Sequence, residues 1–306
     1  MEWEIRIIEL IQKDLNDISR ILNYIFSFIG GEMGLMVLIV VTLFCYKKEV
    51  GQRLALIVAS LHVWFSSIKA VVKRPRPYIE YPDRVVALAP VDPEASPTDV
   101  VAQGYSFPSM HSGAVPATYF TLASNIGKKW AFIAAALLTL FVGFCRVATA
   151  NHYPTDVLAG WIMGFMAFGI FELLDRYVRK EWVRHLILFL SALPGIFFVR
   201  TQEYYTSLGL LIGAIAAIPY ERKYVNYQET KSIIAMVLRT LGGFAIYFGL
   251  NTLLKLPFSK EFLESELLAA FLVRAVRYAI IIFAIMGVYP KIFPLFEKIG
   301  KKTSNK

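Results

Sequence analysis

The chain has little of what a soluble catalytic domain normally shows. Asp, Glu, Lys and Arg make up only 18% of its 306 residues, and they fall in short blocks between apolar runs. Cysteine occurs twice, as Cys45 and Cys145. In the topology derived below these lie near opposite membrane faces, too far apart for a disulfide, so they say little about redox compartment. No Cys/His cluster or paired-carboxylate arrangement suggests a metal site, and no Gly-rich nucleotide loop occurs. Zinc chemistry and nucleotide binding are thereby disfavoured, and no cofactor is called for. Eight charges break up the first 20 residues, so no cleavable signal peptide is expected. There is no internal repeat and no low-complexity segment.

Apolar sequence is what the chain has in quantity: 57% hydrophobic residues and a mean hydropathy of +0.53. Its apolar runs approach the ~20 residues that a helix needs to cross roughly 30 Å of hydrocarbon. Nine candidate spans follow, near 30–46, 54–72, 111–127, 130–147, 155–175, 185–200, 206–220, 232–254 and 267–289. The first is the weakest, because Gly30-Gly31-Glu32 shortens it. The expected fold class is all-α, a polytopic membrane helix bundle. Lys47, Lys48, Arg53, Lys128, Lys129, Arg176, Arg179, Lys180, Arg184, Arg222, Lys223, Lys231 and the tail lysines mark one side as cytoplasmic. The net charge of +9 is then mostly loop lysine near anionic headgroups and calls for no nucleic acid.

Residues 2–22 read as an amphipathic helix, with Trp3, Ile7, Leu10, Ile11, Leu15, Ile18 and Leu22 at helical spacing. It either lies in the outer interface or packs on its own bundle. The stretch from Tyr78 to Tyr105, with Pro82, Pro90, Pro93, Pro97 and the adjacent Pro77, reads as a loop without a long helix. Its position between two polar clusters suggests a substrate-shaping lid.

Three polar clusters interrupt the apolar background: Lys69-x6-Arg76-Pro77, Pro108-Ser109-Met110-His111 and Arg146-x5-His152-x3-Asp156. Together they supply the parts for phosphate-ester cleavage without a metal. Three cations hold phosphoryl oxygens, one His attacks phosphorus, the other protonates the leaving group, and an Asp orients the attacking imidazole. Lys69 and Arg76 share a helix face, and Pro75 and Pro77 end that helix. Lys73 and Arg74 beside them read as snorkelling interfacial cations. Ser109 is a natural N-cap, which turns the amides of Met110 and His111 toward the outer side as a phosphate-binding terminus. Arg146 can clamp two oxygens at once. His152 precedes Pro154 at a helix start, and Asp156 lies within reach four residues on. Asp156 can cap that helix, fix the imidazole tautomer, or do both.

These clusters resemble those of the phosphatidic acid phosphatase type 2 superfamily, which also includes the soluble vanadium haloperoxidases. The family pattern is KxxxxxxRP, PSGH and SRxxxxxHxxxD. The chain matches it in order, in internal spacing and at every charged position. Met110 stands where the family usually has Gly, and Cys145 where it usually has Ser. The resemblance implies a six-helix phosphatase core plus about three extra C-terminal membrane helices. The division expected is an N-terminal helix over 1–29, a core over 30–200, and additional helices with a basic tail over 201–306. It implies His152 as nucleophile, His111 as general acid and Asp156 as orienter, with Lys69, Arg76, Ser109, Met110 and Arg146 binding phosphate. The implied partner is a lipid phosphate in the bilayer. Undecaprenyl pyrophosphate comes first, followed by phosphatidylglycerol phosphate, phosphatidic acid and a lipid A phosphate. A phosphotransferase with the same site, and a lipid-binding or flipping protein using the C-terminal helices, are the alternatives.

Three further cations, Arg239, Arg274 and Arg277, fall inside the C-terminal spans, where a charge is costly without a partner. Arg274 and Arg277 are candidate contacts for a headgroup, with pairing to Glu264 or Glu266 as the structural alternative. The oligomeric state is not legible in the sequence.

Overall fold

The computed structural model describes residues 2–15, 17–88, 94–96 and 98–304, without the side chains of 17–20, 22, 23, 101 and 301–304. Pro90, Pro93 and Pro97 of the 78–105 stretch, and the side chains of Ile18 and Leu22, therefore lie outside the described residues. All regular structure among those described is helical. The chain divides into two compact units, the first made of Met1–Leu35 and Trp64–Arg179, the second of Met36–Val63 and Lys180–Lys306.

The first unit holds α1 (Glu2–Lys13), α2 (Asp17–Gly30), the end of α4 (Lys48–Val72), the short α5 (Pro77–Glu80) and α6 (Val100–Gln103). It also holds α7 (Met110–Ile126), α8 (Lys129–Ala148) and α9 (Pro154–Tyr177). α3 (Glu32–Val41) begins in this unit, and the start of α4 belongs to the other. α7 is the central helix. Ser112, Gly113, Ala114, Val115, Pro116, Ala117, Thr118 and Thr121 are all buried, since α8 and α9 pack against it. Small residues permit that approach: a Cβ on Gly164 of α9 would come within 2.2 Å of the Gly113 carbonyl.

The second unit holds α10 (Glu181–Ala192), α11 (Gln202–Tyr224), α12 (Ile233–Leu253), α13 (Lys260–Glu264), α14 (Leu268–Phe283) and α15 (Phe293–Ser304). Here α11 is central, with Tyr204, Leu208, Leu211, Ala214, Ala217 and Ile218 buried. It packs most extensively on α14.

Among the described residues, five stretches are long and apolar enough to span a membrane: Lys48–Glu80, Lys129–Ala148, Pro154–Tyr177, Ile233–Leu253 and Leu268–Gly300. A sixth span is possible if Tyr24–Gly30 and Glu32–Tyr46, bent by 57°, count as one. The sequence count of nine is therefore too high by this measure. The excess falls on α7, α10 with its 3₁₀ continuation Leu193–Phe197, and α11. α7 and α11 are sheathed by other helices, so small, hydroxyl and tyrosine side chains serve where lipid contact would demand Leu or Phe. α10 is simply short. Lipid-type surface is found instead on the outer helices, where Phe132, Ile133, Phe141, Phe144, Ile162, Met166 and Leu173 are exposed. The chain is an integral membrane protein.

The single helix read over 2–22 is two helices, since α1 ends at Lys13 and α2 begins at Asp17, and α1 packs on its own unit. Ile5 and Ile8 of α1 are fully buried against Tyr78, Val85, Tyr153 and Val157, while Trp3, Ile7 and Leu10 are exposed. The buried stripe of α1 is thus Glu4, Ile5 and Ile8 with Ile11 packed at its edge, and of the apolar residues first assigned to it Trp3, Ile7 and Leu10 form the exposed face.

Candidate active site

Helix α4 stops at Val72 because Pro75 and Pro77 cannot continue it, and Lys73 leaves the helix with φ 51°. Arg76 is the N-cap of α5, with extended backbone and a buried guanidinium. Its Nε donates to the Gln103 carbonyl at 2.7 Å and its Nη1 to the Asn151 carbonyl at 2.9 Å. The same Nη1 lies 3.4 Å from His152 Nε2. A guanidinium has no acceptor, so Nε2 carries the lone pair and Nδ1 the hydrogen. Nδ1 faces the Asp156 carboxylate, 3.7 Å from Oδ2, longer than a hydrogen bond.

The backbone holds His152 in place. Its N–H donates to the Arg146 carbonyl at the end of α8, and Pro154 follows as the first residue of α9. Asp156 occupies the third position of α9, where Oδ2 accepts the Tyr153 N–H at 2.8 Å. It therefore caps the helix and faces the imidazole together. His152 is 2% exposed. Burial first, then the cations Arg76, Arg146 and Lys69, push its pKa well below the ordinary 6.5. A neutral, lone-pair-bearing Nε2 among three cations is suited to meet a phosphoryl group.

Ser109 caps α7 as the sequence suggests, accepting from the Ser112 N–H at 3.4 Å with its hydroxyl 2.8 Å from that of Ser112. Its own N–H donates to the Asp156 carbonyl, which ties the start of α7 to α9. Met110 opens α7 and is half-buried. His111 lies one residue on, partly exposed, within electrostatic range of Arg146, His152, Lys69 and Arg76. Arg146, in the last turn of α8, donates from Nη1 to Ser27 Oγ at 3.1 Å. Eight of the ten sequence candidates thus belong to one unit.

Arg274 and Arg277 belong to the second unit. Arg277 is buried and donates to the carbonyl and side-chain oxygens of Asn251 at 3.3 and 3.1 Å. Among the described residues no pairing of either arginine with Glu264 or Glu266 is seen; Glu264 pairs instead with Lys260. Arg239 is buried against Glu297 at 2.8 Å.

Sequence reading missed five contributors. Arg74 is not a snorkelling cation: it donates to Asp156 Oδ1 at 2.7 Å and to Glu4 Oε2 at 2.8 Å, and stacks 3.7 Å above the Tyr153 ring. Glu4 is buried on α1. The signal for it was available, since Glu4 stands four residues before Ile8 and seven before Ile11, an acid on an apolar stripe. Ser27 and Gly31 approach from the break between α2 and α3, where a Cβ on Gly31 would come 3.2 Å from His111 Nε2. Gly31 was visible in sequence only as a weakness of the first span. Gln103 joins the 78–105 segment to the site through Arg76 and through Tyr78, whose hydroxyl donates to Gln103 Oε1 at 2.9 Å. Among the described residues, no group of three or more His, Cys, Asp or Glu could hold a metal ion.

Comparison with known proteins places this geometry in a family. The PAP2 superfamily model matches residues 50–180, and that of the PAP2 superfamily phosphatase transmembrane extension matches residues 205–302. The chain belongs to the PAP2 superfamily. It is similar to an undecaprenyl-diphosphatase of Sulfolobus acidocaldarius, with 37% identity over 71 residues, 23% of this chain and 32% of that protein. It is also similar to phosphatidylglycerophosphatase B of Bacillus subtilis, with 29% identity over 99 residues, 29% of this chain and 48% of that protein. The chain therefore spans half or less of the length of these curated relatives. No solved structure matches it.

Proposed function

We propose that the protein is a lipid phosphatase that cleaves a phosphomonoester or pyrophosphate without a metal, through a phosphohistidine on His152. The observation that carries this reading is the pairing of Arg76 with His152 Nε2 while Nδ1 faces Asp156. That pairing leaves the lone pair of Nε2 directed at the cation cluster. In the first step Nε2 forms a bond to phosphorus as the phosphorus–oxygen bond to the lipid breaks. His111 gives its proton to the departing oxygen. Lys69, Arg76, Arg146 and the amides at the start of α7 hold the phosphoryl oxygens as negative charge builds on them. Water, deprotonated by His111, then attacks phosphorus. The phosphorus–nitrogen electron pair returns to Nε2 and phosphate departs.

Undecaprenyl pyrophosphate is the favoured substrate, supported by the name of the archaeal relative. The Bacillus relative's name makes a phosphatidylglycerol phosphate the next choice. The cell membrane is the proposed location, with the site on the extracytoplasmic side, supported by the basic loops at the opposite ends of the spans. Arg274 and Arg277 are proposed to contact a second polar group of the lipid.

Phosphate release from a panel of these lipids by purified protein tests the reading. Activity should persist in EDTA, fall with vanadate, and vanish in His152→Ala. Full turnover by His152→Ala, or an absolute need for added magnesium, refutes the phosphohistidine route. For placement, a cysteine at the exposed Val86 should react with an impermeant thiol reagent on intact cells, and one at Lys128 should not. The reverse pattern puts the site on the cytoplasmic side.

A further inference from the structure

We propose that Glu4 of α1 is a positioning residue of the reaction, acting through Arg74 on Asp156 to keep a net negative charge behind His152. The proposal rests on the phosphohistidine reading above. It is carried by a continuous chain of short polar contacts in a buried region. Glu4 Oε2 accepts from Arg74 Nη2 at 2.8 Å, and Glu4 Oε1 accepts from the Thr155 hydroxyl at 2.6 Å and the Thr155 N–H at 3.3 Å. Arg74 Nη1 donates to Asp156 Oδ1 at 2.7 Å and to Thr155 Oγ1 at 2.8 Å. The remaining oxygen, Asp156 Oδ2, faces His152 Nδ1. Glu4 is 3% exposed and Asp156 0%.

Charges alternate along this chain: Glu4 negative, Arg74 positive, Asp156 negative, and the imidazole positive once it is phosphorylated with Nδ1 still protonated. Each link has a physical reason. Asp156 is fully buried and needs a cation beside it, which Arg74 supplies at 2.7 Å. Arg74 by itself would cancel the field of Asp156 at the ring. Glu4 offsets that cation and leaves one net negative charge facing His152. Thr155 fixes the geometry, because its one hydroxyl donates to Glu4 and accepts from Arg74. The cost of burying an acid on the inner stripe of α1 is met by these partners. A helix that only packed on the bundle would need an apolar residue there.

The other charged or titratable groups facing His152 are Lys69 of α4, Arg76 before α5, Arg146 of α8 and His111 of α7, and all stay constant in the test. The test compares wild-type, Glu4→Gln, Arg74→Met, Arg74→Lys and His152→Ala full-length enzymes in lipid nanodiscs, with phosphatidic acid as substrate. Turnover is read across pH, and unfolding temperature alongside. Glu4→Gln keeps the shape and removes the charge. It is expected to lower kcat about tenfold with KM near wild type, and to move the acidic limb of the profile about one unit lower. Arg74→Met should move that limb upward, and Arg74→Lys should lower kcat with the limb in place.

A purely structural Glu4 would change the unfolding temperature and the amount of active enzyme but leave the limb where it is. An unmoved limb in Glu4→Gln therefore overturns the proposal. If Glu4→Gln does not fold, Arg74→Met read against Arg74→Lys decides, equal limbs overturning it. Active His152→Ala would sink the phosphohistidine reading itself. An inactive His152→Ala beside a wild-type-like Glu4→Gln would sink this inference alone.

Discussion

Replacing Arg76 with Lys keeps the charge at the centre of the site and removes the fork. In the structure one guanidinium reaches Gln103 O at 2.7 Å, Asn151 O at 2.9 Å and His152 Nε2 at 3.4 Å. An ammonium on a shorter stem cannot meet three acceptors in three directions. Each lost bond from a charged donor to a carbonyl costs about 1.5–3 kcal/mol. Part of that loss falls on stability, because Gln103 and Asn151 anchor the 78–105 segment and the His152 loop. The catalytic part falls on transition-state charge. Removing one well-placed donor to a developing oxyanion costs roughly 10²–10³ in rate, which sets the expected loss of kcat/KM for Arg76→Lys. Arg76→Ala should lose more, because it leaves the buried carbonyls without a donor and also removes the charge. The assay is phosphate release in detergent micelles, with unfolding temperature measured on the same samples. Arg76→Lys within about threefold of wild type would refute the argument, because the fork and not the charge is what the geometry singles out.

Asp156→Asn should lower kcat by about 10²–10⁴, as loss of a buried orienting carboxylate does in a triad, and should also lower the unfolding temperature by freeing Arg74 from its partner; turnover and a melting curve together check this. The acidic limb of kcat/KM should lie below pH 6.5, since burial and three cations hold His152 neutral; a limb at or above that value assigned to His152 contradicts the site geometry. The same lowered pKa acts on stability: the neutral imidazole is favoured in the fold, so stability present above the unfolded pKa is lost as pH falls through it toward the folded value. Gly31→Ala should lower kcat about tenfold or more, because its Cβ would stand 2.8 Å from Ser27 O and 3.2 Å from His111 Nε2, whereas Gly249→Ala, with open space around it, should behave as wild type. Replacing Arg274 and Arg277 together should raise KM for a diphosphate lipid with kcat little changed if they touch the substrate; an unchanged substrate profile with a lower unfolding temperature gives both a structural role, Arg277 through its Asn251 contact.

The sequence by itself determined the membrane class and the helical fold, and it supplied the candidate reacting groups. Apolar runs between charge blocks leave the backbone no other way to satisfy its polar groups in lipid. The spacing of Lys69 to Arg76, of Ser109 to His111 and of His152 to Asp156 follows from helix ends and helix periodicity, which are local. Pro75 and Pro77 ended α4, Ser109 capped α7 and Pro154 opened α9 where the sequence placed them. What the sequence left undecided depended on which surfaces meet. α7 and α11 read as ordinary spans, but they are sheathed by their neighbours, and burial by protein and burial by lipid look alike in a hydropathy plot. Arg74 looked like a spare cation beside Arg76. Only the docking of α1, which brings Glu4 across from more than sixty residues away in the chain, turns it into the partner of Asp156. The tautomer of His152 was likewise decided in three dimensions, because it depends on which nitrogen meets the donor-only guanidinium of Arg76.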